Sequence, residues 1–273
     1  MMHRKCYKLD GSVRAMQKAA QISVFILLGA IVLIGATVFF LAQEQKDAPK
    51  EQIADDGSFT GRIEGIERFV SSCLESTSYE ALELVGASGG FYPLIDGAAF
   101  GDETIAYHFL DGKNMSSSLG EFERSIALAV EDNIDFCIKD FRDFPGILVQ
   151  AEEAHAGVSI GEGISIALDY PITAISGNER SESSQFQANI AFRTKQMYGM
   201  GLLIVEELMK DPHDICLNCI LDSANEANLT VEMEPLSKTD VLFTITEQGS
   251  DERISRSILR FAISDSIQTG AVK

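Results

Sequence analysis

The chain has 273 residues, of which 45% are apolar, with 22 Lys and Arg against 41 Asp and Glu and a formal charge of −19. A surface this acidic repels phosphate backbones, and the sequence has no basic stripe with interleaved aromatics, so nucleic-acid binding is set aside. The length suffices for a membrane segment followed by one substantial core.

Residues 1–18 are basic, with Arg4, Lys5, Lys8, Arg14 and Lys18 against Asp10. Residues 19–43 then carry no charge, and Ile22 to Leu41 is almost entirely Ile, Leu, Val, Phe, Ala and Gly. Roughly 20 apolar residues in a helix cross a hydrocarbon core of ~30 Å, so this run is expected to be a transmembrane helix in contact with the lipid bilayer. A secretory apolar core is only about 7–15 residues long and ends in an A-x-A-like site, which "FFLAQEQ" does not supply. Acids crowd the far side at Glu44, Asp47, Glu51, Asp55 and Asp56. The flanks therefore place the N-terminus in the cytoplasm and everything after the span outside it.

Lys18-Ala19-Ala20-Gln21-Ile22-Ser23 resembles the class III signal peptide of archaeal pilins. In that family a peptidase cuts before the Gln, which makes Ala20 and Gln21 a candidate processing site. The family's Glu at the fifth mature position, tied to filament register, is here Phe25. A permanent signal anchor is the reading taken, with a pilin-like surface filament subunit as its alternative.

Residues 44–58, charged and holding Pro49, read as a linker. Residues 59–273 are expected to form one extracytoplasmic α+β domain, mainly helical over 59–146 and mainly β over 147–273. Ile66, Phe69, Val70, Cys73, Leu74, Leu82 and Val85 recur at helical spacing, and Gly89-Gly90 ends that pattern. "GGFYPLI" and "ETIAYHFL" read as a strand-like pair. Behind candidate caps at Ser116 to Ser118, a second stripe runs from Leu119 through Phe122, Ile126, Val130, Ile134 and Cys137 to Phe141, closed by Pro145-Gly146.

Alternation from Ile164 to Ala174, a Ser-Gly-Asn turn, and alternation from Gln185 to Arg193 predict a hairpin of half-buried strands. Pro171 cannot donate a ladder bond, so its strand is expected to be an edge or to bulge there. Met197 to Lys210 and Cys216 to Asn225 read as helices, and "NLTVEME", "DVLFTITE" and "SILRFAIS" as strands. Helices followed by antiparallel strands indicate an α+β fold, here amphipathic helices packed on antiparallel strands.

Of five cysteines, Cys6 falls on the cytoplasmic side, leaving Cys73, Cys137, Cys216 and Cys219 where disulfides persist. Cys73 and Cys137 each lie on the apolar face of a helix, and packing of those faces would bring them within bridging reach, so this pairing is favoured. Asn114-Met115-Ser116 and Asn228-Leu229-Thr230 fit the N-glycosylation acceptor, which matters only because the flanks place them outside.

Taken together, "KAAQISVFILLGAIVLIGA", "IERFVSSCLES" leading to "LVGASGGFYP", "FERSIALAVEDNIDFCIKDF" and "SIALDYPITAIS" resemble a family of uncharacterised single-pass membrane proteins of small-genome archaea of the DPANN type. The resemblance covers most of the chain. It implies an archaeal envelope location and partners among other envelope proteins, and carries no biochemical activity with it.

Three motifs invite chemistry. Gly86-Ala87-Ser88-Gly89-Gly90 resembles the sequence around the trypsin-like nucleophile, but the only upstream histidine is His3, so the pattern reads as a helix stop. Cys216-Leu217-Asn218-Cys219 is a C-x-x-C for which a local disulfide or structural thiols, a half-set for zinc, and redox exchange all stay open. A thioredoxin-like site would place it after a strand and at a helix N-terminus, with an aromatic before the first Cys. Here a Met-rich helical stretch precedes it, and Asp214 would raise a thiolate's pKa. A full zinc set would need His213, His108 or His155. Lone histidines such as His108 and His155 read as structural, and Glu152-Glu153, in a strand, would point to opposite faces. No cofactor fingerprint, metal set, small-molecule site or catalytic residue is assigned, and the sequence leans away from an enzyme.

Overall fold

The computed structural model describes residues 58–94, 96–211, 215–247 and 257–264. The expected span over 19–43, the linker up to residue 57, Cys6, the Ala20-Gln21 site, His213 and Asp214 lie outside the described residues. Among those described, no helix is long and apolar enough to cross a membrane. They combine helices and antiparallel strands in an α+β arrangement within one unit, Asp56–Lys273.

The Ser58 hydroxyl accepts the Gly61 N–H at 3.1 Å and opens helix α1, Phe59–Ala87. Its buried stripe is the one its spacing calls for: Ile66, Val70, Cys73, Leu74, Ala81, Leu82 and Val85. The "GGFYPL" part of the expected strand "GGFYPLI", residues 89–94, is not a strand. It is a loop with a cis Tyr92-Pro93 bond, followed by the short hairpin β1 (Ala98–Phe100) and β2 (Glu103–Ile105). "ETIAYHFL" divides at Ala106, so that β3 (Tyr107–Leu110) and β4 (Lys113–Asn114) join a different sheet from β2.

Helix α2, Leu119–Ile138, starts from a capping box in which Glu121 Oε2 accepts the Ser118 N–H at 2.7 Å and Ser118 Oγ accepts the Glu121 N–H at 3.3 Å. It ends three residues before Phe141, where Lys139 takes a left-handed φ of 49°. Phe141 still reaches the core from the following 3-10 turn.

Strands β5 (Leu148–Ala151), β6 (His155–Ile160), β7 (Ile164–Ser176) and β8 (Glu179–Ile190) form one antiparallel sheet. β7 is its centre, with β8 along one side and β6 and β5 end to end along the other. Pro171 therefore sits in a central strand and not at an edge. It is accommodated by a bulge: Asp169 pairs with Gln185 but Ile172 with Ser183, so β7 advances one residue more than β8. On the other side of β7, just past the end of β5, the Glu152 N–H donates to the Pro171 carbonyl at 2.9 Å. Glu152 and Glu153 lie in the link between β5 and β6, outside any strand.

Helices α1 and α2 pack side by side on this sheet, α1 over β8 and α2 over β6. They cover the face made of Ile164, Ile166, Leu168, Tyr170, Ile172, Phe186, Ala188 and Ile190, all buried. On the opposite face Ser165, Ala167, Asp169, Gln185, Gln187 and Asn189 are exposed. α2 also closes the free margin of β6: Glu131 Oε1 accepts the Ala156 N–H at 2.7 Å and Glu123 Oε1 the Ile160 N–H at 2.8 Å. The match is geometric, since eight helical residues rise ~12 Å and four strand residues ~13 Å. An edge capped in this way is withdrawn from pairing with another chain.

Helix α3 (Thr194–Lys210) and helix α4 (Leu217–Glu226) precede β9 (Leu229–Pro235), β10 (Asp240–Glu247) and β11 (Ile258–Ser264). The second sheet has the order β4-β3-β11-β10-β9, with β3 and β11 parallel. α3 lies against it, Gly201 facing Leu259 and Phe261. α1 reaches this sheet with its C-terminal end, where a Cβ on Gly86 would run into the Ile258 carbonyl oxygen. Only glycine admits that approach.

Candidate functional site: two cysteine pairs and a buried histidine

The packing of α1 on α2 brings Cys73 and Cys137 to a Cα separation of 5.6 Å, and they form a disulfide. Cys73 is 2% exposed and belongs to the main core. The bond fastens the two helices that cover the first sheet, and its surroundings are structural.

Cys216 and Cys219 form a second disulfide, with Cα atoms 5.3 Å apart. Here the local sequence governs the geometry. Cys216 occupies the N-cap of α4: its carbonyl accepts the Ile220 N–H at 3.1 Å and its Sγ accepts the Cys219 N–H at 3.3 Å. The motif thus stands at a helix N-terminus, although a helix and not a strand comes before it. Ile220 and Ala224, each 2% exposed, pin α4 from below. Cys219 is exposed and Cys216 half-buried.

The Gly-Ala-Ser-Gly-Gly motif lies where α1 ends. Gly89 and Gly90 take φ values of 87° and 85°, which only glycine adopts without strain. Its neighbour is a histidine from downstream: β3 runs past the helix end and sets His108 Nε2 2.8 Å from the Gly89 carbonyl oxygen. A carbonyl only accepts, so this bond assigns the ring proton to Nε2. Ser88 meanwhile donates its hydroxyl to the Leu84 carbonyl at 2.5 Å. Serine and imidazole are each committed to a backbone carbonyl, and no activated nucleophile results. Sequence reading looked for a base upstream and missed this proximity, because the pairing of β3 with β11 sets it and no local pattern signals it.

His108 is 3% exposed and stacks on Phe261 with ring centroids 4.3 Å apart. Its Nδ1 has no hydrogen-bond partner among the described residues. Burial pushes its pKa down to about 4, with the Gly89 carbonyl opposing part of the shift. The unfolded imidazole titrates near ~6.5, so the unfolded chain takes up the proton first as pH falls. Stability is therefore full above that value and declines between ~6.5 and ~4, by roughly 3 kcal/mol in all. The urea midpoint of the wild-type protein should fall across this window more than that of His108→Phe, which keeps the stacking and lacks the titration. Parallel midpoints would refute it.

The remaining candidates are dispersed. His155 is exposed at the start of β6, and Asn114 and Asn228 are both exposed, Asn114 with its Oδ1 accepting the Ser116 N–H at 2.8 Å. Among the described residues no group of three or more His, Cys, Asp or Glu is placed to hold a metal ion. Tyr170, whose hydroxyl lies 3.4 Å from Asp135 Oδ1, has its pKa raised to about 12 by burial and that neighbouring carboxylate, which keeps it a hydrogen-bond donor. No family model, curated protein or solved structure matches the chain.

Proposed function

We propose that this chain is a cell-envelope protein, anchored in the membrane by residues 19–43, whose domain beyond the membrane acts structurally by contact with other envelope proteins. The observation that carries the reading is the Cys73–Cys137 disulfide in the domain's core. Disulfides persist in oxidising compartments outside the cytoplasm, the side to which the charged flanks of the apolar run assign the domain. The exposed face of the first sheet, with Ser165, Ala167, Asp169, Gln185, Gln187 and Asn189, supplies polar area for such contact.

The test is protease added to intact cells, followed by the N-terminal mass of the membrane-extracted chain. Digestion of the domain without lysis, with a mass beginning at Met1 or Met2, is expected. A domain protected until lysis would overturn the outward placement. A chain beginning at Gln21 would replace the permanent anchor with pilin-type processing, the alternative that Lys18 to Ser23 suggests.

A further inference from the structure

We infer that Cys216 and Cys219 form a thiol–disulfide exchange site for cysteine-bearing polypeptides, whereas Cys73 and Cys137 are a permanent staple. The inference goes beyond the envelope reading and stands without it.

The two disulfides differ in exposure and in the length of chain they close. Cys73–Cys137 closes 64 residues of chain, and Cys73 is shut inside the core. Cys216–Cys219 spans a separation of three, with Cys219 open to solvent. Exchange requires a thiolate to reach the disulfide, and the second pair has one sulfur on an exposed residue, Cys219, whereas the first has Cys73 buried and Cys137 half-buried. Position does the rest. A thiolate on Cys216 would keep the Cys219 N–H as a donor and face the positive end of α4, whose own first turn has no acid, against the opposing charge of Asp214 two residues earlier in the chain. The site also offers a surface for a substrate: Leu217, inside the motif, is 39% exposed, and Leu221, one turn on, 49%. Large apolar side chains left in water beside a reactive disulfide suit an extended, apolar, cysteine-containing segment.

The balanced steps are two. A substrate thiolate attacks Cys216 Sγ, the Cys216–Cys219 bond breaks, and Cys219 leaves with the electron pair and takes up a proton. The substrate's second thiolate then attacks its own sulfur in the mixed disulfide, and Cys216 leaves as the thiolate held at the N-cap. Two electrons pass from the substrate dithiol to the motif; of its two protons one ends on Cys219 and the other goes to solvent while Cys216 stays a thiolate, and the reverse steps with a disulfide-bearing substrate restore the motif.

The experiment uses the full-length chain in detergent, equilibrated with graded reduced and oxidised glutathione, acid-quenched, alkylated and read by mass. The Cys216–Cys219 pair should open at a reductant level at least about tenfold below the level that opens Cys73–Cys137. Cys219→Ser, offered a disulfide-cyclised apolar peptide, should accumulate a mixed disulfide at Cys216 while Cys73 and Cys137 stay protected from alkylation, which certifies its fold. Leu217→Gln with Leu221→Gln, which removes the apolar surface without adding charge at the helix N-terminus, should slow the peptide reaction by about tenfold while the glutathione reaction holds its rate. Opening of both pairs together, or no mixed disulfide in folded Cys219→Ser, would make the second pair a staple as well. Equal loss toward peptide and glutathione in the leucine variant would refute the recognition surface.

Discussion

Replacing both Cys73 and Cys137 with Ala is expected to lower the unfolding free energy by about 4 kcal/mol. The bond closes a loop with a sequence separation of 64, and the chain-entropy relation for a loop of that length gives ~4 kcal/mol. The two helices it joins form one lid over the first sheet, so the unfolded chain gains freedom across the whole segment from α1 to α2. Urea unfolding of the oxidised wild type and the double variant measures the difference. The corresponding change at Cys216 and Cys219 should cost less, since that bond spans a separation of only three. Equal losses at the two sites would mean that loop length does not govern the effect.

Phe261→Ala should cost roughly 3–5 kcal/mol, by lost transfer energy together with the cavity left behind. Phe261 is 0% exposed in β11. His108 stacks on it from β3, and the Phe243 ring, from β10, lies parallel at 5.5 Å. Three adjacent strands therefore share one stack, and Gly201 of α3 approaches the same ring closely. The alanine would remove the middle of that stack and loosen the rings on both sides. Thermal and urea unfolding should show the loss, and Phe261→Leu, which keeps most of the volume, should recover more than half of it. A loss below ~1 kcal/mol would show that the stack is not what joins these strands.

The two disulfides were legible in the sequence to different degrees. The pairing of Cys73 with Cys137 was readable because each lies on a helical stripe, and two apolar stripes in one small core have few ways to avoid each other. At Cys216 the sequence displayed the motif, and the fold places the first sulfur at the helix N-terminus. The loop over "GGFYPL" defeated pattern reading, since apolar residues near Gly and Pro look like a short strand whether or not a partner strand exists.

By itself the sequence determined the elements: the long stripe of α1, the serine N-cap of α2, the alternation of β7 and β8, and the glycines that stop α1. Each depends on residues within a turn or two of one another, so side-chain period and backbone preference suffice to specify it. Only the tertiary structure decided that Pro171 bulges a central strand, that Glu123 and Glu131 cap the margin of β6, that β3 runs parallel to β11, and that His108 is spent on the Gly89 carbonyl. Those are pairings between segments far apart in the chain, and the free energy that selects among them belongs to the packed core as a whole, where no local pattern records it.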